Sequence, residues 1–159
     1  MKLASDKEAA SKAIDEIKAF RAALKVIGID PGVHTGVALY DRGSKKVEEA
    51  KTLDFWSALD FVCTFSKNEI AVVIEDPNLN RPTFLKHGQE GREKISQNVG
   101  SNKAEARLLI DGLRKMGYVV RTEKPMSSKW TAEQVKRHTG YEARCSEHAR
   151  DAIKLCFKA

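Results

Sequence analysis

The sequence predicts an α/β protein: a mixed five-stranded sheet flanked by helices, with one extra helix ahead of it. Three observations carry that expectation. Residues 25–41, K-V-I-G-I-D-P-G-V-H-T-G-V-A-L-Y-D, hold two short β-branched runs, Val26 to Ile29 and Val37 to Tyr40, parted by the chain-breaking Pro31, Gly32 and Gly36. Residues 69–75, E-I-A-V-V-I-E, form a continuous apolar run bounded by acids, the pattern of a central strand covered on both faces. Around these runs lie stretches in which apolar residues recur at helical spacing.

At 159 residues the chain is most simply one domain with a sizeable core, read here as an accessory helix over 1–24 and a folded body over 25–159. An apolar content of 42% and a charged content of 31% are those of a soluble globular protein. No apolar run approaches the ~20 residues of a membrane span, and the polar N-terminus does not read as a signal peptide. Cys63, Cys145 and Cys156 are odd in number and lack C-x-x-C pairing, which points to reduced thiols and a cytoplasmic setting. The net charge of +6 is concentrated. Residues 1–100 carry 15 Lys/Arg against 15 Asp/Glu, whereas residues 101–159 carry 13 against 7. A basic last third, with two tryptophans in the chain, fits a polyanion partner and equally fits a solvated basic face.

Taken in order, residues 5–24 read as a helix, with Ser5 and Glu8 as a capping box and Ala10, Ala13, Ile14, Ile17, Ala23 and Leu24 near one stripe. It is expected to pack on the body or to mediate dimerisation. After the hairpin, residues 42–46 turn the chain and Lys46 to Leu53 reads as a third strand. Phe55 to Phe65 reads as a helix. Residues 77–97, with two prolines and two glycines, read as a long functional loop in which Arg81, Lys86, His87, Arg92 and Lys94 surround Phe84. Ser101 to Met116 returns to helix, with Ala104, Leu108, Leu109 and Leu113 on one face and Gly117 as its stop. Tyr118 to Thr122 is a last strand, and Lys129-Trp130 opens a basic helical segment to His138. A final helix starts near Ser146, a good N-cap, and turns Ala152, Ile153, Cys156 and Phe157 toward the core.

The chemistry lies where acids end strands. Asp30 closes the first strand, and a carboxylate at the end of a buried strand is costly without a cation or donor. Glu75 and Asp76 close the central strand, and alternation lets only one of them face a given side. His148 and Asp151, three residues apart, project from one face of the last helix. If the two strands are neighbours, Asp30, Glu75, His148 and Asp151 converge. Carboxylates in one cleft repel unless a cation sits among them. Oxygen ligands suit Mg²⁺ or Mn²⁺, which retain waters and bind phosphates. Two-metal phosphodiester hydrolysis is the chemistry that follows.

The segment I-G-I-D-P-G-V-H-T-G-V-A at 27–38 resembles the opening signature of the RuvC-type Holliday junction resolvases, in the RNase H-like superfamily. V-V-I-E at 72–75 resembles that family's second acidic strand, and H-A-R-D-A at 148–152 its acidic C-terminal helix. Order and spacing agree over residues 25–159, and the size suits a compact phage or bacterial version. The resemblance implies an RNase H-like fold and a homodimer that makes paired symmetric nicks in four-way DNA. It implies two Mg²⁺ or Mn²⁺ ions per site, held by Asp30, Glu75, His148 and Asp151, and no small-molecule cofactor. Many family members have an acid where this chain has His148. By position, the 77–97 loop resembles the one that contacts the junction centre, which makes Phe84 a candidate wedge. Arg81, Lys86, Arg92, Lys94, Lys103 and Lys129 are candidate DNA contacts, and Lys124 is a candidate for charge stabilisation during catalysis.

Three other readings share some of these features. An RNase H-like nuclease for flaps, other branched DNA or structured RNA would have the same metal site. Actin-like kinases share D-x-G-x-x-T-G but need two such domains. A non-catalytic junction-binding protein would gain nothing from carboxylates gathered beside DNA phosphates.

Overall fold

Alternation of side chains along β1 (Lys25–Asp30) sets the architecture. Ile27 and Ile29 point to one face of the sheet, and Val26, Gly28 and Asp30 point to the other, all of them buried. A computed structural model describes residues 2–80 and 92–159, with side-chain surroundings over 7–80 and 96–159. The remaining described elements are α1 (Lys2–Ala22), β2 (Thr35–Asp41), β3 (Lys46–Leu53), α2 (Phe55–Cys63), β4 (Ile70–Glu75), α3 (Arg92–Lys115), β5 (Val119–Glu123), α4 (Ala132–Thr139) and α5 (Glu147–Lys158). A single 3-10 turn, Pro77–Leu79, follows β4.

The strand order is β3-β2-β1-β4-β5. The β1–β2 and β2–β3 pairs are antiparallel, and the β1–β4 and β4–β5 pairs are parallel. The chain is therefore an α/β protein on a mixed five-stranded sheet, as its sequence predicts. The parallel pairing of β1 with β4 brings Asp30 and Glu75 to the same edge, because Ile29 sits opposite Ile74 and each acid is the next residue. Ile27, Ile29, Val37, Val72 and Ile74 meet Ala58 and Val62 of α2 and Leu109, Ile110 and Leu113 of α3 on one face. Val26, Ala38, Ala71 and Val73 meet Phe20 of α1, Val135 of α4 and Ala152, Ile153 and Cys156 of α5 on the other. Each valine, leucine or isoleucine among them contributes about 1.5–3 kcal/mol of burial. Among the described residues no helix is long and apolar enough to cross a membrane.

Helix α5 lies flat on β1 and β2 because two glycines let it. A Cβ on Gly28 would stand 2.2 Å from the carbonyl oxygen of Ala152, and one on Gly36 would stand 2.0 Å from that of His148. Both distances are far inside van der Waals contact, so these positions admit only hydrogen. Its N-cap is Ser146, as expected: the Ser146 hydroxyl accepts from the Ala149 N–H at 3.1 Å. That hydroxyl also bonds Thr52 of β3, tying the start of α5 to the same sheet edge.

Several boundaries differ from the sequence reading. Helix α3 begins at Arg92 and not at Ser101, because R-E-K-I-S-Q-N-V is a tolerable helical sequence and Gly100, between it and the rest of the helix, costs only about 1 kcal/mol. Residues 92–97, expected in the 77–97 loop, are therefore helical. On α3 the inward stripe is Ala106, Leu109, Ile110 and Leu113. Ala104 is exposed and Leu108 is 62% exposed, so neither belongs to that face. The basic segment expected from Lys129 becomes helix only at Ala132, after a Thr131–Gln134 capping box. Helix α1 is already formed at Lys2, so Ser5 is not its cap. Its stripe is largely solvated, with Ile14 and Ile17 more than half exposed, and Phe20 alone is buried among the described side chains of the helix. The C-terminal end is held by Arg42, whose guanidinium donates to the carbonyls of Phe20 at 2.7 Å, Ala23 at 3.1 Å and Ala159 at 3.2 Å. An arginine on the last carbonyls of a helix satisfies acceptors that the helix itself cannot.

Candidate active site

A cleft of about 380 Å³ opens at the sheet edge where β1 and β4 end. Asp30, Glu75, His148 and Asp151 all line it, together with His34, Asn98, Asn102, Met126 and Lys129. The four residues singled out as ligands in the sequence are thus brought together. Asp30 and Glu75 arrive on the α5 side of the sheet by strand alternation. Asp76 falls on the other side, where its carboxylate accepts from the Asn78 N–H at 2.9 Å and caps the 3-10 turn. His148 and Asp151 arrive from the first two turns of α5, whose approach is set by Gly28 and Gly36.

Asp30 is 9% exposed, and its Oδ2 lies 3.0 Å from His148 Nδ1. With Asp30 ionised the carboxylate only accepts, so a neutral His148 carries its proton on Nδ1 and keeps the Nε2 lone pair for another partner. Burial pushes the Asp30 carboxyl above its ordinary value; the His148 hydrogen bond opposes this and the charge of Asp151 adds to it. Burial also pushes Glu75 up, reinforced by the charge of Asp30 and opposed by the Met126 N–H, which donates to Glu75 Oε2 at 3.3 Å. Asp151 is partnered by Lys129, with Nζ to Oδ2 at 3.1 Å. Lys129 also bonds Glu147, which is its strongest contact and raises its pKa.

As placed, these side chains hold one another. Among the described residues no three histidine, cysteine or carboxylate groups close on a single point as ligands. The donor set nevertheless fits a hard divalent cation. Asp30 and Glu75 are desolvated, the charge of Asp30 crowds Glu75 and that of Asp151 crowds both, so positive charge brought among them relieves all three. Three carboxylates with one imidazole are the ligands Mg²⁺ or Mn²⁺ accepts.

The other candidates divide. Lys129 stands in the cleft. Lys124 does not: β5 ends at Glu123 and the next residue turns into a separate groove shared with Arg121, Leu155 and Lys158. Lys103 is half-buried on α3 beside Asn102, and its carbonyl accepts from Asn78 Nδ2 at 3.1 Å. Arg81, Phe84 and Lys86 lie outside the described residues, as do the side chains of Arg92 and Lys94. Of the tryptophans, Trp130 is packed, stacked on His138 at 4.8 Å and edge-on to Phe157, whereas Trp56 is 70% exposed.

The sequence reading missed three residues that line the cleft with polar side chains. His34, in the turn between β1 and β2, places a second imidazole 6.4 Å from that of His148. Its position four residues after Asp30 was the available signal. Asn98 and Asn102 are one helical turn apart on α3 and form the opposite wall. Their register became visible only once α3 began at Arg92.

The crowding has a measurable consequence. A carboxyl whose folded-state pKa is raised binds its proton more tightly folded than unfolded. Metal-free stability therefore falls as pH rises from the ordinary glutamate value of about 4.3 through the raised one. Glu75→Gln keeps an acceptor for the Met126 N–H and removes the charge. It is expected to raise Tm in EDTA by about 2–4 °C at pH 7 and by less at pH 4. Thermal denaturation at the two pH values checks this, and a Glu75→Gln Tm at or below wild type at pH 7 would contradict the crowding. No protein-family model matches this chain and no curated protein matches it in sequence, so what the site can do rests on its own geometry.

Proposed function

We propose that this protein is a divalent-metal-dependent nuclease of the RNase H-like kind that resolves four-way DNA junctions. The observation that carries the reading is the meeting of Asp30, Glu75, His148 and Asp151 in one cleft. Strand order supports it as well: three antiparallel strands continue into two parallel ones, with the acids at the ends of the adjacent β1 and β4. The basic balance of residues 101–159 suits a polyanionic substrate.

In this reading Asp30, Glu75, Asp151 and the Nε2 of His148 hold two Mg²⁺ or Mn²⁺ ions. Such ions, when bound, supply an activated water and charge stabilisation for a leaving 3′-oxygen. The chain's own residues do the rest. Asp30 fixes the ring of His148 and its tautomer through Nδ1. Lys129 supplies a positive charge beside Asp151 while the cleft holds no metal. Asn98 and Asn102 offer amide donors and acceptors along the wall a nucleotide would pass. A homodimer in the nucleoid or host cytoplasm, cutting two opposed strands, completes the proposal.

The test is cleavage of a synthetic four-way junction beside linear duplex, flap, RNA–DNA hybrid and structured RNA, with Mg²⁺ or Mn²⁺. Paired symmetric nicks confined to the junction are expected. Equal cutting of flaps or RNA would retain the metal chemistry and discard the junction preference. Tight junction binding with no cutting of any substrate would mean that the protein is a binding module.

A further inference from the structure

Asp151 is 6% exposed, and its one ion-pair partner among the described residues is Lys129. The same ammonium is shared with Glu147, one helical turn earlier on α5, so it is seated between two carboxylates. The backbone that carries Lys129 is fixed on both sides. Lys154, a buried lysine one turn after Asp151, donates from Nζ to the Ser128 hydroxyl at 3.0 Å and to the Ser128 carbonyl. Arg150 Nε donates to the Trp130 carbonyl at 3.1 Å. Helix α5 thus clamps residues 128 and 130 and aims residue 129 along its own acidic face. The Lys129 side chain itself remains 54% exposed and can swing without disturbing that clamp.

We propose that Lys129 is a built-in counter-cation for Asp151, which a divalent ion entering the cleft must displace, so that this lysine sets the metal affinity of the site. The inference rests on the metal reading above and goes beyond it by naming the group that opposes the metal. An ammonium and a divalent ion compete for the same carboxylate oxygens. By linkage, Lys129 weakens ion binding by the same factor as the ion weakens the Lys129–Asp151 pair. Glu147, at the outer edge, keeps the displaced ammonium at the rim of the cleft, where a backbone phosphate of a bound nucleic acid would lie.

The test compares wild type with Lys129→Gln in the absence of DNA, by Mn²⁺ titration calorimetry and by thermal denaturation in EDTA and in Mn²⁺. Because the lysine is half exposed and screened, Lys129→Gln is expected to bind Mn²⁺ about 5–10-fold more tightly. Its Tm in EDTA is expected to fall by about 2–4 °C, with a larger rise on adding Mn²⁺ than wild type shows. Lys129→Arg, which keeps the charge, should bind Mn²⁺ as wild type does, and Lys129→Met, which keeps the stem, replaces the Gln variant if that one fails to fold. Equal Mn²⁺ affinity in wild type and Lys129→Gln, with binding lost in Asp30→Asn, would overturn the displacement and leave the metal reading intact. No Mn²⁺ binding by either wild type or Lys129→Gln would overturn both.

Discussion

Asp30→Asn is expected to lower junction cleavage by about 10³-fold or more while the protein stays folded and binds DNA. A loss of that size is about 4 kcal/mol of transition-state stabilisation, within what a carboxylate holding a catalytic ion supplies. The substitution is unusually clean because of what surrounds the residue. Asparagine is the same shape, and its carbonyl oxygen accepts from His148 Nδ1 as the carboxylate does at 3.0 Å. The charge that is removed is one that burial and Asp151 oppose, so the folded state is not weakened. Three readouts separate the outcomes: the initial rate of nicking, the junction affinity in Ca²⁺, and the Tm in EDTA. Unchanged cleavage in Asp30→Asn would remove Asp30 from the chemistry. Lost cleavage together with lost binding and a lowered Tm would make it a structural residue.

The parts of this site that were legible in the sequence are those with a local code. A β-branched run that stops at a carboxylate says both that a strand exists and that its end is polar, and two such runs are visible at Asp30 and Glu75. Ser146 followed by E-H-A-R-D announces a capped helix whose first two turns carry His148 and Asp151. Alternation then lets only one of Glu75 and Asp76 enter the cleft, and the pairing of β1 with β4 makes it Glu75. The strand ends and the helix cap need no tertiary contact to be read.

What the sequence could not show depends on which element lies against which. Lys124 and Lys129 look alike in the chain, yet one turns into a groove beside Leu155 while the other lies on the acidic face of α5. The difference comes from Lys154 and Arg150, residues that read as surface cations on a terminal helix until Lys154 is found 1% exposed and anchoring Ser128. Leu108 fits a helical stripe as well as Leu109 does, and only the sheet determines which of the two is covered. The stripe of α1 misled in the same way, because Arg42 and Phe20 fix the helix near its C-terminal end and leave Ile14 and Ile17 in solvent.

Gly36→Ala is expected to be among the most damaging single-methyl additions in the chain, costing about 3 kcal/mol or more and about 6–12 °C in Tm. The glycine is not needed for a turn here; it sits in β2 opposite Asp30 in the ladder. The new methyl would meet backbone, 2.0 Å from the His148 carbonyl oxygen and 2.9 Å from the Ala149 nitrogen, so no side chain can rotate away to relieve it. Either β2 or the start of α5 must move, and the first two turns of that helix carry His148 and Asp151. The loss of stability and the loss of the Asp30–His148 pair are therefore one event. Gly112→Ala is the matched control: it lies inside α3 with nothing within 4 Å of the added Cβ, and should stabilise by roughly 0.5–1 kcal/mol as alanine replaces a flexible helical residue. Denaturant unfolding of the two variants, read beside Mn²⁺ affinity, gives the comparison. Opposite signs, with metal binding weakened only in Gly36→Ala, are the expected result. A Gly36→Ala protein as stable as wild type would mean that α5 does not rest on β2 at this point, and the route by which the fold assembles its acidic cleft would have to be redrawn.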